Sequence, residues 1–336
     1  MPMTPIGDLA GGFASRLNMT RVKADLDRLT TEMSTGRPAD PVAHVGGDTA
    51  RVAHIARDIE MARARASAAT GLGQTLAVMQ TVMDGLEGLR DGLERLVVPL
   101  TPASPAAEYR RAGEAGAGAF RDIVGRLNTA HGGNALFAGT ATDGPALADA
   151  DAMLASLSAA ANGAVTASDV TDAVDAWFSD PAGGFATMGY LGDSGAPLAR
   201  RLDEELTVTV TPRADDPAFR ELLRASAILA LSADPALGLA PSTSAALVTG
   251  VLDDLIGAAP LLTGLRAGVG LAEERTAEAV TRHTARVAVL TVALNELTLA
   301  DPYATAIALK ETETQLQTQF VLTSRLSGLS LVNFLR

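Results

Sequence analysis

Near the start of the chain, Met19, Val22, Leu26, Leu29 and Met33 recur at alternating steps of three and four residues. Near the end, Thr276, Val280, His283, Val287, Leu290, Leu294 and Leu297 do the same. That spacing puts each set on one narrow stripe of an α-helix. Such a stripe leaves water only against another helix, so both ends of the chain require a helical partner. The two ends are natural partners for one another, because closing a long loop costs only logarithmically more than closing a short one.

Composition supports helices over sheets. Hydrophobic residues make up 47% of the 336 positions but aromatics only 4%, so the core must be built from Leu, Val, Ala and Met. Those residues suit close helix packing. The net charge is −12, and Lys23 and Lys310 are the only lysines. Nucleic-acid binding needs clustered positive charge and is not expected. No cysteine is present, which excludes disulfides and thiolate metal sites. No run approaches the ~20 uninterrupted apolar residues of a membrane span, so insertion is not expected. Residues 1–12 carry no basic start and no apolar block ending in a cleavage site, so a cleaved secretory leader is not expected either.

Read along the chain, residues 13–35 form the first helix, and Ser34 to Pro41, with Gly36, Pro38 and Pro41, stops it. A long helix restarts near Asp48, which serves as its N-cap. Along it, Val52, Ile55, Ile59, Ala62, Ala66 and Ala69 keep the rhythm, and Leu72 to Val97 continue it in a new phase. Gly71, Gly73, Gly85, Gly88 and Gly92 weaken that helix, and tight helix–helix contact is the expected compensation. Pro99, Pro102 and Pro105 mark a reversal, after which Tyr109, Gly116, Phe120, Ile123 and Leu127 share one face, so residues 48–131 read as a helical hairpin. Between Asn128 and Ala199 there are eight aspartates and no Lys or Arg, with one short helix expected around Ser168–Phe178. Leu206 to Thr211 alternates at period two and reads as the one clear strand. Asp215-Asp216-Pro217 opens another helix, helix resumes from about Ser242, and a last helix occupies 303–327 after Asp301-Pro302.

Little here suggests chemistry. Gly192 to Pro197 has the residue order found around the active-site serine of chymotrypsin-like proteases, but the β scaffold and the usual cysteines are missing, and a turn before the strand accounts for it. His44 and His54 lack the i, i+4 spacing that puts two metal ligands on one helix face. His283 lies on the heptad stripe and reads as a packed or hydrogen-bonded core residue. Neither Gly71-Leu72-Gly73 nor Gly268-Val269-Gly270 extends to a dinucleotide fingerprint. No catalytic residue, metal site or cofactor is expected.

Several segments do match known wording. Met33-Ser34-Thr35-Gly36-Arg37 with Asp40-Pro41, the turn Asn134-Ala135-Leu136-Phe137-Ala138-Gly139-Thr140, Leu265 to Gly270 and the ending Asp301-Pro302-Tyr303 to Leu335 resemble the bacterial flagellin and hook-associated protein family. The resemblance covers residues 13–140 and 260–336. Its C-terminal wording is closest to the branch that joins hook to filament. It implies a non-enzymatic structural part of the flagellum, located outside the cell and exported through the flagellar type III apparatus. The implied partners are other copies of the chain, a neighbouring hook-associated protein, flagellin and an export chaperone. A filament subunit is the alternative within the family, and an intracellular helical dimer for binding or signalling is the alternative outside it.

The expected fold is mainly α: a long antiparallel helical bundle built from the N- and C-terminal segments, with a small mixed α/β insert. Residues 1–45 and 300–336 are expected to form the terminal axial helices, 46–140 and 242–299 a helical rod, and 141–241 an acidic outer insert. Leu26, Leu29, Met33, Leu316, Phe320, Leu326 and Leu329 are the expected assembly residues.

Overall fold

A computed structural model describes residues 6–101 and 103–334 of the chain, with side-chain surroundings given for 12–101 and 103–325. It is mainly helical, as the patterning demands. Ten α-helices are described: α1 (Ile6–Thr35), α2 (Pro41–His44), α3 (Thr49–Val97), α4 (Ala106–Leu127), α5 (Ala150–Ala160), α6 (Ala167–Ser179), α7 (Pro217–Ser232), α8 (Pro241–Gly250), α9 (Leu252–Thr298) and α10 (Pro302–Phe334). Four short strands accompany them: β1 (Ala130–His131), β2 (Asn134–Ala135), β3 (Leu198–Arg201) and β4 (Thr207–Val210).

The helix starts follow local chemistry. Asp48 accepts a hydrogen bond from the Arg51 N–H at the head of α3. Asp216, followed by Pro217, caps α7 by accepting from the Ala218 N–H, and Asp301 caps α10 by accepting from Tyr303 and Ala304. Each cap gives an otherwise unpaired donor of the first turn a partner. Thr166 and Asp169 form a reciprocal capping box on α6, which holds the Asp169 carboxyl below its ordinary range. Pro260 lies inside α9.

The chain divides into two compact units, one of Met1–Arg63 with Thr284–Arg336 and one of Ala64–His283. In the first unit α1 packs on α10. Among the described residues, Val22, Leu29, Ile59 and Ala62 are its buried apolar side chains.

The second unit contains the main hydrophobic core, a cluster running from Ala69 to Ala279. Its α3 stripe (Leu72, Leu76, Met79, Met83, Leu86, Leu93 and Val97) is buried throughout. Within this unit α3 and α9 run antiparallel, tied by Gln80 Nε2 donating to the Arg266 carbonyl and Arg90 Nη1 donating to the Leu255 carbonyl. The chain reverses through the proline-rich turn into α4, whose Tyr109, Gly116, Phe120, Ile123 and Leu127 are buried as one face.

The closest packing of α4 is on α7. Gly113 and Gly116 permit it: a Cβ on Gly113 would come within 2.9 Å of the Leu229 carbonyl oxygen, and one on Gly116 would overlap Leu229 itself. The α3 glycines behave differently. Gly85 lies under Arg126 and Gly73 faces Thr276, but Gly71, Gly88 and Gly92 have nothing within 4 Å of an added Cβ. Close packing therefore explains only two of the five.

Two further elements depart from the sequence reading. The strand at Thr207–Val210 has a partner, β3, paired antiparallel from Leu198↔Val210 to Arg201↔Thr207. With two arginines and exposed residues on both faces, β3 shows no alternation to read. Helix α5, an Ala-rich segment capped by Asp149, also carries too few large apolar residues for a periodicity signal.

Candidate assembly surface and the motifs that shape it

The segment after α1 is organised by Glu32. This buried carboxylate accepts from Arg28 at 3.1 Å and from the Ala39 N–H at 3.0 Å. The Gly36 N–H returns to the Glu32 carbonyl at 2.8 Å, and Gly36 adopts φ +66°, a left-handed conformation that other residues rarely take. The Gly36 carbonyl then accepts from the Ala300 N–H at 3.1 Å, so the end of α1 meets the joint between α9 and α10. Asp40 caps α2 by accepting from Val42 and Ala43. Gly36 thus turns the chain and ties the end of α1 to the α9–α10 joint, while Asp40 and Pro41 start α2.

The expected assembly residues occupy varied positions. Leu29 is 5% exposed, Leu26 and Leu316 are half-buried, and Met33 and Phe320 are exposed. Lys23 Nζ lies 5.9 Å from the centre of the Phe320 ring, a cation–π contact between α1 and α10. Leu326 and Leu329 lie outside the residues whose side chains are described. The α9 stripe is filled to different degrees: Thr276 and His283 are buried, and Val287, Leu290, Leu294 and Leu297 are half-buried.

What the periodicity did not single out is the amount of apolar surface in the first unit. Phe13 is 69% exposed and Tyr303 76%, and Leu17, Met61, Val289, Val292, Leu299, Ile307, Val321 and Leu322 are also exposed. Large apolar side chains scattered singly over a surface are ordinary; their concentration on a few helices makes these helices the candidate assembly surface. Charge divides the same way. The first unit holds twelve basic and twelve acidic residues, and the second holds fifteen basic and twenty-seven acidic. The entire net charge of −12 therefore belongs to the second unit, and the first is neutral.

In the second unit the Asn134–Thr140 turn is a docking point for two other segments. The Ala138 carbonyl accepts from the Asp193 N–H, and the Phe137 carbonyl accepts from the Ala214 N–H. Thr140 donates to the Asp193 carboxylate, which also accepts from the Gly195 N–H at 2.9 Å; these bonds hold that carboxyl below its ordinary range. Gly139, at φ +66°, has the Asp193 carbonyl oxygen where a Cβ would sit, so no side chain fits there. Phe137 packs edge-on against Phe219, with ring centres 5.6 Å apart. The Tyr190 hydroxyl donates to the Asp193 carbonyl, and burial together with the Asp215 charge pushes its pKa up to about 12. The protease-like wording at Gly192–Pro197 is therefore a structural turn leading into β3, as read.

His283 is a hydrogen-bonded core residue, also as read. Its Nε2 lies 3.2 Å from the Leu202 carbonyl and 3.7 Å from Asp203 Oδ2. Asp203 also pairs with Arg65 at 3.0 Å. Its carboxyl sits below the ordinary range, first because the Glu204 N–H donates to it, with His283, Arg65 and Arg282 adding attraction. Elsewhere in the second unit Arg224 gathers Asp175, Glu221 and Asp254, joining α7 to α6 and α9. Burial raises the Glu221 carboxyl there. Among the described residues no group of three or more His, Asp or Glu is placed to hold a metal ion. A stretch within 241–325 is long and apolar enough, by length and composition alone, to cross a membrane, and a third of it is buried. Uninterrupted apolar runs had not shown it because single polar residues break it up.

Comparison with known proteins agrees with this picture. Residues 253–335 match the family model described as the bacterial flagellin C-terminal helical region. No curated protein matches the sequence. In fold, the chain is similar to a solved structure from Vibrio parahaemolyticus assigned as a flagellar hook-associated protein, with TM-score 0.52 and 12% identity, over 77% of this chain and 98% of that one. The chain is thus similar in sequence, over its last quarter, to the bacterial flagellins, and in fold to a flagellar hook-associated protein.

Proposed function

We propose that this chain is a structural subunit of the bacterial flagellum, acting where the hook meets the filament, and not a catalyst. The observation that carries the reading is the division of surface between the two units. One is neutral, is built from the two ends of the chain and exposes apolar helix faces. The other carries all the net charge and the main hydrophobic core. Apolar faces drive copies together, and concentrated charge keeps the other unit hydrated. The match of residues 253–335 to the flagellin C-terminal region supports the same reading.

The mechanism is geometric. Each subunit presents helical seams, and heterologous contacts between copies propagate along an axis or close a ring. Leu26, Leu29, Met33, Leu316, Phe320, Leu326 and Leu329 belong to those seams, and the neighbours are other copies, a hook-associated protein and flagellin. Export before assembly, with an export chaperone as escort, places the mature protein outside the cell.

Deleting the gene tests the role. Hooks without filaments, together with flagellin shed into the medium, support a junction subunit. Loss of the filament with no shed monomer points to the filament subunit itself. Normal swimming of the deletion strain, together with retention of the protein in the cytosol of wild-type cells, overturns the reading and favours an intracellular helical dimer.

A further inference from the structure

Within the acidic second unit, the outer face of α9 carries no charge along four turns. From Ile256 to Leu271, about 22 Å at the rise of a helix, no exposed residue is charged, and Ile256, Leu261 and Leu271 stand out into solvent. Arg266, the one ion in this stretch, is turned aside to Asp84 and Glu87 of α3. Gly264 has nothing within 4 Å of an added Cβ, so the face is notched between Leu261 and Leu271. Exposed carboxylates close both ends: Asp253 before Ile256, and Glu274 and Glu278 after Leu271, with Arg275 to one side. Among the described residues these three carboxylates have no side-chain partner.

We propose that this face receives the start of α1 from a second copy of the chain. Charge complementarity selects that segment. Between Asp8 and Asp25 the sequence has no acidic residue but holds Arg16, Arg21 and Lys23, so this part of the neutral first unit is locally basic. Phe13 and Leu17 are exposed there, and at 100° per residue they lie opposite the buried Val22 and Leu29. The packing of α1 on α10 therefore leaves them free. Other exposed apolar residues of the first unit, Met61, Val292 and Ile307 among them, stand within about a turn of Glu60, Glu296 and Glu311, which the acidic unit would repel. Arg21 follows Leu17 by one turn, as Glu274 follows Leu271. With the two helices parallel, Phe13 and Leu17 fill the notch while Arg21 reaches the carboxylates at its end. The two surfaces differ, so the contact is head-to-tail and repeats from copy to copy. The proposal rests on the assembly reading above and names one of its contacts.

Substitutions in the full-length chain test it. Leu271→Asp on the receiving face, and Arg16→Glu with Arg21→Glu on the inserting one, alter exposed side chains that have no internal partner. Sedimentation velocity at about 150 mM salt is expected to show each variant associating about tenfold or more weakly than wild type, with an unchanged thermal melt. Adding Glu274→Arg and Glu278→Arg to the arginine variant restores complementary charge and is expected to recover association. Weakening by Leu271→Asp alone, with the arginine variant associating like wild type, overturns α1 as the occupant and points to α9 meeting another α9. Absence of recovery in the fourfold variant overturns the pairing as well. If every variant associates like wild type while Leu29→Ala with Phe320→Ala does not, the contact is overturned and the assembly reading stands. A wild-type chain that stays monomeric at every concentration overturns both.

Discussion

Salt should strengthen association of this protein, and the size of the effect follows from the charge division. A unit of about 220 residues has a radius of gyration of about 17 Å, so two such units packed side by side lie about 40 Å apart, centre to centre. With −12 on each, the repulsion in water is about 15 kcal/mol without screening. At about 10 mM salt the Debye length of about 30 Å leaves about 4 kcal/mol; at about 150 mM, with about 8 Å, only about 0.1 kcal/mol remains. Association is therefore expected to strengthen by up to about 1,000-fold between those conditions and then level off, because the apolar seams of the first unit depend little on screening. Light scattering or sedimentation of the purified chain over a salt series reads this directly. Association that weakens steadily with salt would refute the reasoning, since attraction between charges would then dominate over the apolar seams.

Three further outcomes concern the architecture. Replacing Gly116 by Leu drives a side chain into Leu229 and should cost about 1–3 kcal/mol in a denaturant melt, whereas Gly88→Ala, into open space on α3, should stabilise by about 0.5–1 kcal/mol. Phe219→Ala removes a fully buried ring packed edge-on to Phe137 and should cost about 3–5 kcal/mol. Asp203→Asn should destabilise at neutral pH. The folded carboxyl titrates below its unfolded value, so its stabilising effect is present above about pH 4 and fades as pH falls through the lower folded value. The melts of wild type and of the Asp203→Asn variant should therefore converge in strong acid, and a difference that persists there would show that the role of Asp203 is packing and not charge.

Much of the site was legible because its signals are local. Asp48, Asp216 and Asp301 each stand next to the helix they cap, and the apolar rhythm of α3 and α9 is set by residues three and four apart. The Gly36 and Gly139 turns were marked by residue type, since a positive φ is a property of one residue. Lys23 over Phe320 gave no such sign. Nor did the role of Glu32, a lone acidic residue among several on α1 until the chain turns and brings Ala39 back to it.

By itself the sequence determined the helix class, the breaks near Gly36 and Asp301, the caps and the narrow apolar stripes, all of which depend on interactions within a few residues. Tertiary structure alone decided that α4 packs on α7 through Gly113 and Gly116, that β3 accompanies β4, and that His283 meets a carbonyl 81 positions away. It also decided where the charge falls: −12 is a property of the composition, but its confinement to one unit arises only because the fold gathers the two ends of the chain into the other. Contacts across such separations are selected by how surfaces fit in space, and spacing along a chain carries no record of that.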